Sequence, residues 1–251
     1  MDSPAPSVYV VIGTPGSGRR ALVLDLAENG LAAEAAVLVL VPESSAEEPA
    51  ESLLAARPRT AVRRWSGSAS LLPAVSPAAG ATVFLLLDPL GDVLDQLEAL
   101  RPWLAERGAE LARVLVVVDC QLAERTPALA LWYDACIHFA DAVFLARREG
   151  VANKWMSAFV RRYEEQAYPC YFLPVKKAGL ANPALVLEPQ PRRMSQYFDP
   201  QDELPEDLEI ETDDEEPEDG EDGPQPEPYF ERNRAGRRVR EVPALRDHLP
   251  A

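Results

Sequence analysis

The sequence is poor in the residues that build metal centres and nucleophile–base pairs. Its 251 residues include three cysteines, Cys120, Cys136 and Cys170, and two histidines, His138 and His248. The cysteines form no C-x-x-C pair and lie in apolar or aromatic surroundings, a usage that suits a reducing compartment and not a disulfide framework. Ligation of a transition metal needs several thiolate or imidazole donors close together, so no metal site is expected. His138 falls between Ile137 and Phe139 on an apolar helical stretch and is read as a satisfied, buried or half-buried histidine. No Ser-His-Asp or Cys-His arrangement can be assembled from the two histidines. Long apolar runs are missing as well: none approaches the roughly 18 residues of a spanning helix. The start Met1-Asp-Ser-Pro-Ala-Pro has no basic n-region, and the expectation is a soluble, cytoplasmic chain with no membrane partner.

Basic residues are absent from one stretch. Of the 41 Asp and Glu, sixteen fall within residues 199–228, which hold no Lys or Arg, and the other 25 match the 25 Lys and Arg of the whole chain. The formal net charge of −16 therefore belongs to that tract, and the balanced remainder gives no argument for nucleic acid. Rich in Asp, Glu, Pro and Gly, residues 199–228 have too little apolar surface to offset chain entropy, so the sequence predicts a disordered tract. It would dock a basic protein partner and be separable from the domain. Residues 229–251 are basic with a few apolar anchors. They read as a solvated tail, with folding back on the acidic tract or a short binding motif as alternatives. Residues 1–7 are also expected to be disordered.

The whole chain is 47% hydrophobic, and what remains, residues 8–198, is long enough for one domain with a real core. β-Branched and Leu-rich runs at Val8–Ile12, Val37–Val41, Thr82–Leu87, Val114–Val118, Ala142–Leu145 and Tyr171–Val175 alternate with helical patterns. The helical patterns cover Arg19–Asn29, Val93–Arg107, Pro127–Ala140 and Asn153–Gln166, with Gly30 and Gly108 as stops. This alternation predicts an α/β fold, a mainly parallel sheet with helices on both faces. Residues 42–60 look like an exposed insertion. The stretch 182–193 reads as extended chain, its prolines barring helix and central strand. Trp155, Phe159 and Tyr163, four apart, read as a core-packing stripe.

The most informative segment follows the first strand: Gly13-Thr-Pro-Gly-Ser-Gly-Arg-Arg20. A glycine-rich turn between strand and helix presents backbone N–H groups and the helix dipole to an anion. The frame is that of a phosphate loop, G-x-x-x-x-G-K-[ST], with Gly13 and Gly18 at the glycine positions. Arg19 replaces the Lys that reaches the phosphates, and Arg20 replaces the hydroxyl that ligates Mg²⁺. The other glycine, Gly16, and Ser17 complete the set of backbone donors. A second element, Phe84-Leu-Leu-Leu-Asp88-Pro-Leu-Gly91-Asp92, is an apolar strand ending in a carboxylate and then a glycine, the place of a Walker-B acid and of a γ-phosphate-sensing N–H.

With Leu115-Val-Val-Val-Asp119-Cys and Phe139-Ala-Asp-Ala-Val-Phe-Leu-Ala-Arg-Arg-Glu149, these elements follow one another in an order that resembles the CobW-like branch of the P-loop metallochaperone GTPases. That group also contains the hydrogenase- and urease-maturation GTPases. The likeness runs from residue 8 to about 175. It implies a P-loop NTPase-like fold and GTP or another nucleotide as ligand, held by Gly13, Gly16, Ser17, Gly18, Arg19, Arg20, Asp88, Gly91 and Glu149. The departures share a direction. Ala146-Arg-Arg-Glu149 stands where the family reads guanine with N-K-x-D, and residues 42–81 contain neither Cys nor His for the family's G-C-x-C-C metal motif. Lys and Mg²⁺ contacts supply much of the charge stabilisation of phosphoryl transfer, so the implied protein is a pseudo-GTPase that senses nucleotide or binds partners, with no catalytic residues. Two other readings stand beside it. One is an NAD(P)-binding oxidoreductase domain with Glu43 as the ribose acid; the other is an interaction scaffold without ligand.

Overall fold

In the computed structural model the described residues are 4–67, 71–199 and 226–249. Seven strands form one sheet: β1 (Ser7–Gly13), β2 (Val37–Pro42), β3 (Thr60–Trp65), β4 (Thr82–Leu86), β5 (Glu110–Asp119), β6 (Ala142–Ala146) and β7 (Tyr171–Pro174). Their order is β3-β2-β4-β1-β5-β6-β7, and every neighbouring pair is parallel. Parallel strands need helical crossovers, so both faces are covered and the inner strands are mainly apolar, with Arg113 of β5 as a buried exception. The side chains of β1 alternate accordingly. Val8, Val10 and Ile12 join a core under α3 (Val93–Glu106), α4 (Cys120–Arg125), α5 (Ala130–His138) and α6 (Asn153–Glu164). Tyr9 and Val11 join the opposite core under α1 (Arg19–Asn29), α2 (Pro49–Ala56) and α7 (Pro183–Leu187). The α/β fold with a parallel sheet is the one the sequence predicts.

Several segments differ from expectation. Residues 42–60 are not an exposed insertion. They form α2, which buries Ala50 and Leu54, and lead into the edge strand β3. Pro49 sits in the first turn of α2, where a missing N–H costs nothing. The stretch 182–193 is not wholly extended for the same reason: Pro183 opens α7, and Asn182 caps it by accepting from the Leu185 N–H at 3.2 Å. The chain then runs along the sheet end opposite the glycine loop. There Tyr9 Oη donates to the Leu187 carbonyl, Arg113 Nε donates to the Glu188 carbonyl at 2.5 Å, and the buried Asp141 takes the Arg192 N–H at 2.6 Å. Residues 4–7 are ordered into the sheet. Ser7 starts β1, the Pro4 carbonyl accepts from Gly80, and the Pro6 carbonyl accepts from Glu110.

The largest correction concerns the C-terminus. Residues 200–225, most of the acidic tract, lie outside the described residues, but 226–249 do not form a solvated tail. Tyr229 and Leu245 are buried, Phe230 stacks on Phe139, and Arg232 and Arg238 both pair with Asp95 and Glu98 of α3. His138 is half-buried, its Nε2 3.0 Å from a Glu227 carboxylate oxygen. Trp155 and Phe159 stack against the core beside the buried Tyr163, so the α6 stripe packs as read. Among the described residues no helix is long and apolar enough to cross a membrane.

Candidate functional site

Because the strands are parallel, the loops after β1, β2, β4, β5 and β6 all leave from one edge of the sheet, where ligands of open α/β sheets bind. Gly13 ends β1 in a crowded place. A Cβ there would lie 2.8 Å from the Val117 carbonyl oxygen and 2.9 Å from Ser17 Oγ, so only glycine fits. Gly16 and Gly18 take left-handed φ values of 71° and 92°, which turn the chain back into α1. Gly18 is the N-cap of α1 and offers no side-chain acceptor, so the first-turn N–H groups face outward with the positive end of the helix dipole. Ser17 Oγ is buried without a hydrogen-bond partner. Thr14 is buried beside the Tyr133 hydroxyl.

The two arginines are turned away from this cradle. Arg19 is buried, its aliphatic stem against Gly13, and its Nη1 donates to the Leu87 carbonyl at 2.7 Å in the seam between β1 and β4. Burial, and then the neighbouring Arg20, lower its pKa to about 10, against the opposing charges of Glu48 and Asp88. The group therefore stays protonated at neutral pH, yet it is committed to a main-chain acceptor. Arg20 is equally buried. Its guanidinium bonds Glu48 at 2.5 Å and also Glu51 and the Ala46 carbonyl. Arg64 of β3 reaches the same Glu51 at 3.0 Å. Where a hydroxyl would hold a divalent cation, this chain carries a fixed cation with two carboxylates, tying α1 to α2 and β3. These residues do not fit Mg²⁺.

Asp88 closes the β4 end as part of a turn. Its carboxylate accepts from the Leu90 N–H at 2.9 Å and from Ser44 Oγ at 2.6 Å, and its main chain exchanges two hydrogen bonds with Gln96 of α3. Gly91 is held in that turn, its N–H donating to the Asp88 carbonyl at 3.3 Å, and a Cβ on it would lie 3.0 Å from Gln96 Nε2. On the other side Asp119 caps α4 through the Leu122 N–H at 2.9 Å. Glu149 is exposed in the turn after β6, and its contact with this region is a main-chain one, from Gln121 Nε2 to its carbonyl at 2.7 Å. The residue that reaches the loop from there is Arg147. It is held at a left-handed φ of 51°, with contacts of 3.2 Å to the Gly16 carbonyl, 3.3 Å to Gln121 and 3.5 Å to Asp119.

The structure thus gathers Gly13, Gly16, Ser17, Gly18, Arg19, Arg20, Asp88 and Gly91 at one edge and leaves the Glu149 side chain on the surface. Sequence reasoning missed Glu48, Glu51, Gln96 and Arg147. Two glutamates three apart around a proline were the available sign for the first two. The dinucleotide reading is overturned by strand order. It requires the second strand beside the first, so that an acid at its end meets the ribose. Here β4 lies between β1 and β2, and Glu43 is exposed.

No protein-family model and no curated protein matches the chain. Among solved structures it is similar to the Zn(II)-bound YjiA GTPase from E. coli, at 12% identity over 76% of this chain and 67% of that one, with a TM-score of 0.40. A Zn(II)-bound triple mutant of YjiA GTPase is similar at 14% identity, the same coverage and a TM-score of 0.36. Likeness at this level says nothing about ligand or activity.

Proposed function

We propose that the chain is a phosphate-loop protein that binds without turning over: a nucleotide's phosphate rests on the backbone of residues 13–18, without Mg²⁺ and without hydrolysis. The observation that carries this reading is the neutralisation of Arg20 by Glu48 and Glu51 at the position of the metal-ligating hydroxyl. Arg19 adds to it, since a buried guanidinium given to Leu87 is withheld from a phosphate. What favours anion binding over an empty turn is the outward-facing first turn of α1 together with the unpartnered, buried Ser17 hydroxyl. Gly16, Ser17 and Gly18 would hold the phosphate, and the bound nucleotide would act by changing what the protein's surface offers a partner. The sequence order that resembles CobW-like GTPases points to GTP as the first nucleotide to try.

Calorimetric titration of the full chain with GTP, ATP and NADPH, with and without magnesium, tests this. GTP or ATP binding should change by less than about twofold on adding Mg²⁺, because Arg20, paired with Glu48 and Glu51, stands where the metal-ligating hydroxyl would be. Phosphate release should stay at background, and NADPH should give no heat. Magnesium-dependent turnover abolished by Gly18→Val would refute the reading. Absence of heat with every nucleotide would leave the ligand-free scaffold in its place.

A further inference from the structure

The C-terminal segment 226–249 touches the two helices that hold the turns of the loop site. Along α3, Asp95 and Glu98 are bridged twice: Arg232 Nη2 lies 3.3 and 2.7 Å from them, and Arg238 Nη2 lies 2.6 and 2.7 Å away. Gln96, between those two acids, is buried and faces inward. Its Oε1 accepts from the Asp88 N–H at 2.7 Å, and its Nε2 donates to the Asp88 and Asp92 carbonyls at 2.9 and 3.1 Å. The same segment holds both ends of α5. Glu227 meets His138 at its C-terminus, and the buried Leu245 packs beside the turn Pro127–Leu129 that leads into it. In α5 the Tyr133 hydroxyl takes the Asp119 N–H at 3.3 Å and stands beside Thr14.

We propose that residues 226–249 are a detachable brace that regulates the loop site. Docked, the brace fixes α3 and α5, so that Gln96 and Tyr133 hold the Asp88–Gly91 turn and Asp119 in the arrangement described. Undocked, it frees both. Its grip is suited to release, because residues 231–237 are exposed and the α3 contact is made of ion pairs in which Arg232, Asp95 and Glu98 are partly exposed and Arg238 more deeply set. A partner that captures the two guanidinium groups undocks it. Coupling of the brace to the turn stands alone; coupling to a bound nucleotide rests on the function proposed above. By linkage, whatever factor undocking removes from ligand affinity, ligand returns as protection of the brace.

Hydrogen exchange on the full chain tests this, comparing the native protein with Arg232→Gln/Arg238→Gln and with Glu98→Gln, which breaks the same bridge from the α3 side. The expected result is loss of protection at Val239, whose N–H bonds the Glu231 carbonyl, together with about tenfold faster exchange at Leu90 and Gly91. Loss at Val239 with Leu90 and Gly91 unchanged overturns the proposal. So does retention of Val239 protection in both variants, because the arginine bridge would then not be what holds the brace. In a second arm, GTP affinity without magnesium should fall by about fivefold or more in the undocked variants. If the native chain binds no GTP, the proposed ligand is refuted and the exchange result alone decides the brace.

Discussion

Replacing Arg20 by alanine isolates the feature that most distinguishes this loop. The guanidinium is 5% exposed, and its partners Glu48 and Glu51 are 29% and 12% exposed. Arg20→Ala leaves two carboxylates near each other in a partly dry site. Glu51 keeps Arg64, whereas Glu48 loses its only ion-pair partner among the described residues. Breaking a buried pair by removing one partner costs about 3–5 kcal/mol, and the partial exposure of Glu48 places this case near about 3 kcal/mol. For a domain of this size each kcal/mol lowers Tm by about 2–4 °C, so the fall should be about 6–12 °C. Thermal unfolding followed by circular dichroism, with urea titration for the free energy, measures it, and Arg63→Ala on the exposed face of β3 serves as the surface control. Glu48→Gln in the Arg20→Ala background should recover part of the loss, since it removes the unpaired charge. A fall no larger than that of the control, or no recovery with Glu48→Gln, would refute the view that Arg20 is a structural cation.

Two further outcomes follow from titrating groups. Burial pushes the Glu227 carboxyl up, but hydrogen bonds from His138 and Ser195 outweigh it, so the group sits below its usual range. Glu98 is lowered too: burial opposes, and the bonds from Arg232 and Arg238 prevail. Groups with depressed folded pKa values stabilise the docked brace above their unfolded pKa of about 4.3 and lose that contribution as pH falls through the folded value. Protection of the Tyr229 amide, which bonds Glu227, should be flat from pH 7 to 5 and decline only as the pH falls below the unfolded value of about 4.3; loss of protection between pH 7 and 5 would contradict this. Burial also pushes Cys120 and Cys170 to about 12 and raises Cys136. Thiol reagents at pH 8 should leave all three unmodified in the native state and label three on unfolding, because the thiolate is the reactive form. Rapid native labelling of any one would show that its surroundings are wetter than described.

The fold was legible because a parallel sheet writes itself in short range. Runs such as Val8–Ile12 and Val114–Val118 must be buried on both faces, and the helices between them must be amphipathic. The missed elements are the short helices α4 and α7 and, at the sheet edge, α2 and β3, where Thr60-Ala-Val-Arg-Arg-Trp65 is half exposed and its composition resembles a loop. The loop frame was legible for a similar reason: left-handed backbone at Gly16 and Gly18 and the crowding at Gly13 each demand glycine locally. The partners of Arg19 and Arg20 were not, since Leu87, Glu48 and Glu51 lie 28 to 68 residues away and meet them only once β4 is inserted between β1 and β2.

By itself the sequence determined the parallel α/β domain and a glycine turn between its first strand and helix, because periodicity and steric demand act over a few residues. Tertiary structure decided that Arg19 meets the Leu87 carbonyl and Arg20 meets Glu48 and Glu51, that the second strand stands away from the first, and that residues 226–249 pack on the domain. Each of these depends on contacts between residues far apart in the chain, and neither charge nor an apolar side chain carries an address until packing brings the partners within a few ångströms.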